Sequence, residues 1–197
     1  MKLILVSDNH GALPPLKEIH QRHHHETDLF LHCGDSQMMA AQVEALNYIS
    51  VEGNCDFGDV FPEERVVSLP NGMKAFMAHG HLLDVKMNSS VLVDRAATSQ
   101  AQLAFYGHTH HIHVEMIRGI LVVNPGSVTY PRNTREKTYA RLDFQDGRTL
   151  VEILEVLTGT RLFHYLFDGE GNLLESVPLP KGESLGLKDL FASLFKR

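Results

Sequence analysis

The chain opens on a continuous apolar run, Leu3-Ile4-Leu5-Val6, within residues 2–7. Such a run predicts a strand buried on both faces. Pro14 and Pro15 start a segment in which Leu16, Ile19 and His20 recur at helical spacing, with an end expected between Arg22 and His25. A second apolar run over 29–31 stops at His32-Cys33-Gly34-Asp35. Val43, Leu46 and Tyr48 mark a further helix that feeds a short strand at 49–51. The order so far is β-α-β-α-β, the pattern of a layered α/β fold with parallel neighbours.

After residue 60 the texture changes. Residues 66–69, the turn Pro70-Asn71-Gly72 and residues 74–78 predict a hairpin. A helix over 90–99 leads to a strand at 103–106. Two more hairpins are expected, 114–123 across Arg118-Gly119 and 139–156 across Asp146-Gly147. Parallel units first and hairpins later predict mixed sheets. From about Thr158 a further hairpin spans 161–177, and Pro178, Pro180 and Gly182 then break the chain. In the segment beyond, Leu187, Leu190, Phe191, Leu194 and Phe195 form one apolar stripe of a final helix. The expected organisation is a main domain over 1–157 and a C-terminal extension over 158–197. The extension would pack on the core or form an oligomer interface, so a homo-oligomer is one expectation.

Composition narrows the function classes. With 43% hydrophobic and 21% charged residues in 197, the chain reads as globular, not disordered or collagenous. No apolar stretch approaches the roughly 20 residues that cross a bilayer. The N-terminal run is interrupted by Asp8 and His10 and precedes no small-residue cleavage site. The expected location is therefore the cytoplasm, with no membrane partner. Lys plus Arg is 18 against 24 for Asp plus Glu, a formal charge of −6 that disfavours sequence-blind nucleic-acid binding. Cys33 and Cys55 form no CxxC pair, which fits a reducing compartment. Histidine stands out, with 13 copies against ten phenylalanines.

Five polar clusters each follow an expected strand: Asp8-Asn9-His10, Gly34-Asp35, Gly53-Asn54-Cys55-Asp56, His79-Gly80-His81 and Gly107-His108-Thr109-His110. Ligands of open α/β sheets bind beyond the carboxyl ends of strands, so these side chains are expected on one rim. Each cluster alone is a weak signal. Asp35 or Asn54 could be a turn residue, and His79 a hydrogen-bonded core histidine. Their joint occurrence, in order, is what turn chemistry does not explain. Asp, His and Asn without thiolate suit divalent ions such as Mn²⁺, Zn²⁺, Fe²⁺ or Ni²⁺. In an extended Asp8-x-His10 or His108-x-His110, both side chains would face the same site.

The set resembles the calcineurin-like metallophosphoesterases, whose pattern is DxH, GD, GNxD/E, a histidine followed by Gly-His, and GHTH. Within them the chain looks most like the small YfcE-like phosphodiesterase branch, over residues 1 to about 157. Asn124-Pro125-Gly126-Ser127 with Pro131-Arg132 is also similar to that branch. The resemblance implies a four-layer α-β-β-α sandwich of two mixed sheets. It implies a phosphoesterase with two divalent ions, Mn²⁺ first, acting on a small phosphodiester through hydroxide held between the ions, in line with the leaving group. Carried over by position, Asp8, His10 and His110 hold one ion, Asn54, His79 and His108 the other, and Asp35 bridges. Asn54, Cys55, His81 and Arg132 would meet substrate. Where many members have histidine this chain has Cys55, a thiol mostly protonated at pH 7, so leaving-group protonation falls to water or His81. Asp56 either orients a ligand imidazole or caps a loop.

His32 is expected to hydrogen-bond near the site, and His111 and His113 to line the rim or a surface. His20 and His164 read as structural. His23-His24-His25 ends a helix, and three consecutive side chains there cannot face one ion. A rival reading from another class is a non-catalytic protein-binding scaffold on the same fold, Vps29-like. A nuclease is disfavoured by the acidic balance.

Overall fold

The computed structural model describes residues 1–58 and 61–177. The apolar stripe expected beyond Gly182 lies outside the described residues. In chain order the elements are β1 (Lys2–Val6), α1 (Leu13–His23), β2 (Leu29–His32), α2 (Ala40–Glu44), β3 (Tyr48–Ser50), β4 (Glu64–Ser68) and β5 (Lys74–Ala78). There follow α3 (Ser90–Thr98), β6 (Leu103–Phe105), β7 (Ile112–Ile117), β8 (Ile120–Pro125), β9 (Thr138–Gln145), β10 (Arg148–Glu155), β11 (Arg161–Phe167) and β12 (Leu173–Val177).

The unbroken apolar character of β1 has a direct cause. Leu3 and Leu5 face a second sheet, while Ile4 and Val6 face α1, and all four are fully buried. Burying each such side chain contributes about 1.5–3 kcal/mol. One sheet runs β12-β11-β10-β9-β1-β2-β3, and the other runs β4-β5-β6-β8-β7. Both are mixed: β1, β2 and β3 are parallel neighbours, as are β5, β6 and β8, with antiparallel hairpins outside them. Leu3, Leu5 and Leu31 of the first sheet meet Met77, Phe105 and Val123 of the second in the central core. On the outer faces, Leu16 and Ile19 of α1 cover Ile4 and Phe30, and Leu92, Val93 and Ala96 of α3 cover Phe76 and Ala104. The expected α-β-β-α layering and all four hairpins are present.

One element departs from expectation. The helix expected to include Tyr48 stops at Glu44, because Asn47 turns into the left-handed region (φ 57°). Tyr48 instead opens β3, with its ring 5.3 Å from that of Phe30. Beyond residue 157, β11 pairs with β10 and continues the larger sheet, with β12 outside it. No helix among the described residues is long and apolar enough to cross a membrane.

Candidate metal centre

Because β1, β2, β3 run parallel in one sheet and β5, β6, β8 in the other, the polar segments leave the carboxyl ends of six strands along one rim. The rim is knitted by its own backbone. His10 N–H donates to Asp35 O (3.0 Å), Asp8 N–H to Gly34 O (3.2 Å), and Gly107 N–H to His79 O (3.1 Å). Ser127 Oγ and Thr129 Oγ1 both donate to Asp8 O at 2.9 Å. Two glycines permit the approach. A Cβ at Gly53 would collide with the Asp35 backbone, and one at Gly107 with Ser7 Oγ and Asp8 Oδ2.

Side chains reach the centre by a route different from the extended one expected. Asp8 (φ 58°), His10 (45°), Asp35 (55°), His108 (63°) and His110 (58°) all sit in the left-handed region. Each paired cluster therefore turns a sharp corner, and the corner brings both side chains inward. Strain of this kind persists where surrounding structure over-determines it, and it clusters at functional sites.

Asp8, His10, Asp35 and His110 bring one ligand atom each to within 4.8 Å of one another. The imidazoles are oriented from behind. His10 Nδ1 donates to Gln37 Oε1 (3.0 Å), His110 Nδ1 to Tyr130 O (2.7 Å) and His79 Nδ1 to Cys33 O (2.7 Å). Each Nδ1 proton being so used, each Nε2 faces the centre as a lone pair, as metal-bound histidines require. His110 Nε2 lies 3.3 Å from both Asp8 Oδ1 and His10 Nε2. His79 Nε2 lies 3.3 Å from Asp35 Oδ1 and 3.9 Å from Asp8 Oδ1. Both oxygens of Asp8 and the His79 Nε2 are buried without a hydrogen-bond partner. Carboxylates and imidazole lone pairs converging in a buried place form a donor set that a divalent cation completes.

Asp35 sits between the two histidine groups, 3.9 Å from His10 Nε2 through Oδ2 and 3.3 Å from His79 through Oδ1. Burial works against its charge, but His79 and the Cys55 N–H (2.8 Å) outweigh it and hold its carboxyl well below the usual range. The His108 ring is 5.1 Å from that of His79 and 6.2 Å from that of His81. Burial, and then His79, lowers the His108 imidazole to about 4 and also depresses that of His81. Both are therefore neutral at pH 7. Burial pulls His79 and His110 down as well, yet the facing carboxylates win and leave both raised.

A family profile described as the calcineurin-like phosphoesterase superfamily domain matches residues 1–147. The chain belongs to that superfamily. Among its relatives, the probable metallophosphoesterase YsnB of Bacillus subtilis is 34% identical over 155 residues, spanning 79% of this chain and 91% of YsnB. Phosphodiesterase YfcE of Escherichia coli is 27% identical over 178 residues, 73% of this chain and 88% of YfcE. A solved structure of a predicted phosphoesterase from Streptococcus pneumoniae superposes with a TM-score of 0.76 at 31% identity, covering 85% of this chain and 97% of that one.

Within this member of the calcineurin-like phosphoesterase superfamily the remaining site expectations separate. Asn54 is exposed, and its Nδ2 donates to Cys55 Sγ (3.2 Å). Cys55 touches the centre through its backbone N–H. Burial, and then Asp35, pushes its thiol up to about 11, so it keeps its proton at neutral pH. Asp56 is a loop cap and not an imidazole partner: it accepts from Gly53 N–H (2.8 Å), Gln37 N–H (2.5 Å) and Ser36 Oγ (2.9 Å). His81 is half-buried with its Nδ1 unpartnered. Arg132 is exposed, and its backbone N–H donates to His110 O (3.1 Å).

His32 Nε2 donates to Asn9 Oδ1 (2.8 Å) while its Nδ1 accepts from Gly34 N–H (3.1 Å), which joins the loops after β1 and β2. His23 is buried between Glu26 and Tyr139, so it belongs to the core, unlike the exposed His24 and His25. His20 lies tilted against Phe30 with ring centres 5.0 Å apart, and His164 donates to Glu175. Sequence reasoning missed the acceptors behind the ligands, Gln37 and the carbonyls of Cys33 and Tyr130. Two of the three are backbone groups, which leave no mark in a sequence. Asn124 has a role that its motif does not announce: its Nδ2 donates to Gly107 O (2.8 Å) and Thr109 Oγ1 (3.1 Å), bracing the loop that carries His108 and His110.

Proposed function

We propose that this chain is a dinuclear, metal-dependent phosphodiesterase. The observation that carries the reading is the buried donor set: two carboxylates and three oriented Nε2 lone pairs, with both Asp8 oxygens unpartnered. One ion would sit among Asp8, His10, His110 and Asp35, and the other among Asp35, His79, His108 and Asn54. Divalent cations, when bound, supply Lewis acidity that draws charge from phosphoryl oxygens and makes solvent nucleophilic near neutral pH.

The chain's own residues do the rest. Asp35, fixed by Cys55 N–H, holds the two histidine groups in register. Hydrolysis adds a water oxygen to phosphorus in line with one ester oxygen, whose bond breaks, and a proton ends on the departing alkoxide. Neutral His81, half-buried beside the rings of His79 and His108, would hydrogen-bond an ester oxygen and relay that proton. Asn54, being uncharged, leaves more positive charge at its ion than an aspartate would. Arg132 offers its guanidinium to the substrate at the edge of the centre, and the Cys55 side chain contributes bulk at the rim.

Hydrolysis of bis-p-nitrophenyl phosphate with Mn²⁺, Zn²⁺, Fe²⁺ or Ni²⁺ tests this. The wild type is expected to turn over, best with Mn²⁺. Asp35→Asn and His108→Ala are expected to lose about 100-fold or more. A wild type as inert as both variants with every metal sinks the enzymatic reading and leaves the scaffold. Bound metal measured by mass spectrometry is expected at two ions per chain, and one ion would sink the dinuclear part. Loss of the metal-ligating histidines would favour a scaffold, and every expected ligand position is filled here, which is why the enzymatic reading stands first.

A further inference from the structure

A groove of about 930 Å³ opens beside the metal centre, bounded by the start of α3, the β6–β7 loop and the segment around Arg132. It meets the centre through Thr109, which lies between His108 and His110, and through Arg132, whose backbone holds the His110 carbonyl. A small diester would fill only part of it. Its charge differs from that of the whole chain. Three cations, Lys86, Arg118 and Arg132, line it against one acid, Glu115, in a molecule of net charge −6.

The ion pairs sharpen this balance. Glu115 is engaged by His113 Nε2 (3.0 Å), and Arg118 is neutralised by Asp94. Lys86 and Arg132 are exposed and have no ion-pair partner among the described residues. Both line the groove, Lys86 next to Val85 before α3 and Arg132 next to Asn133 beside the loop that carries His111. Other polar groups on the walls, such as Asn88, Ser89 and Asn133, are uncharged.

We infer that this groove is the subsite for the non-scissile part of the substrate and that it selects phosphodiesters carrying a second anionic group. The inference rests on the phosphodiesterase reading and goes beyond it by naming a substrate class. Two unpaired cations facing a groove attract an anion, and a diester whose substituent bears a phosphate or carboxylate presents one there. Neutral or cationic substituents gain nothing from these walls.

The probe is a pair of esters with one leaving group, thymidine 5′-(p-nitrophenyl phosphate) with and without a 3′-phosphate. The 3′-phosphate is expected to raise kcat/KM roughly tenfold at low salt, the scale of one charge-assisted contact, and high salt is expected to erase the gain. Lys86→Gln and Arg132→Gln are each expected to cut the gain several-fold, with thermal unfolding confirming that both variants fold. A wild-type ratio at or below one, or a ratio that neither substitution moves, overturns the inference. If bis-p-nitrophenyl phosphate is cleaved while the ratio is one, the subsite alone fails. If no ester is cleaved, the enzymatic reading fails, and calorimetric titration of the full chain decides the subsite. Tighter binding of thymidine 3′,5′-bisphosphate than of thymidine 5′-monophosphate upholds it, and equal binding overturns it.

Discussion

Asp8 is the residue at which stability and chemistry pull apart. Its oxygens are buried without a hydrogen-bond donor, and Asp35 shares the same small space. Two buried carboxylates crowded into one place cost free energy that a bound cation returns. Asp8→Asn is therefore expected to raise the melting temperature of chelator-treated protein, by roughly 1–3 kcal/mol in stability. The same change is expected to abolish the further rise that Mn²⁺ gives the wild type through preferential binding to the folded state. Thermal scans with EDTA and with Mn²⁺ check both halves; a variant less stable in EDTA refutes the argument. Backbone strain adds a second expectation. His110 holds φ 58°, so His110→Gly and His110→Ala both lose the donor, but the glycine variant is expected to be about 1 kcal/mol more stable. Denaturant melts of the two variants compare them directly.

Among the elements, β2 carries a pH dependence at its end. His32 is fully buried, and that burial, the largest influence on it, lowers its imidazole to about 4 from the ordinary 6.5. The unfolded chain takes up a proton near 6.5 while the folded one resists until about 4. Stability from this group is thus complete above pH 6.5 and is lost as pH falls through that window, by up to roughly 3 kcal/mol. His32→Gln is expected to be weaker at pH 7 but flatter between pH 6.5 and 4 in denaturant titrations; an unchanged slope would count against it. The same strand illustrates what could be read in advance. Its apolar run and the Gly-Asp after it marked the strand and its end together, because burial on both faces writes an uninterrupted pattern. The hairpins were legible through Asn-Gly and Asp-Gly turns. Left-handed corners at Asp8, His10, Asp35, His108 and His110 were not, since aspartate and histidine, though enriched there, adopt positive φ too seldom for a sequence to announce it. Tyr48 was misplaced because an apolar aromatic fits helix and strand spacing equally over so short a stretch.

At the scale of the molecule, the segment beyond residue 157 shares in the core. Phe163, Tyr165 and Phe167 of β11 pack in the same central cluster as Leu3 and Leu5. Ending the chain at 157 uncovers the edge of β10 and removes these rings. The shortened chain is expected to aggregate or to unfold several degrees lower, measured by sizing chromatography and thermal scans. A monodisperse product with unchanged melting would show that β11 is dispensable.

The donor set also straddles the sandwich. Asp8, His10 and Asp35 hang from the larger sheet, whereas His79, His108 and His110 hang from the smaller one. A cation held by them would work as a rivet through two plates, fastening one rim and leaving the opposite rim to its hairpins. Amide hydrogen exchange should then slow around Gly34, Gly53 and Gly107 on metal addition and stay constant at the far Asn71-Gly72 turn. The molecule would breathe from one end only.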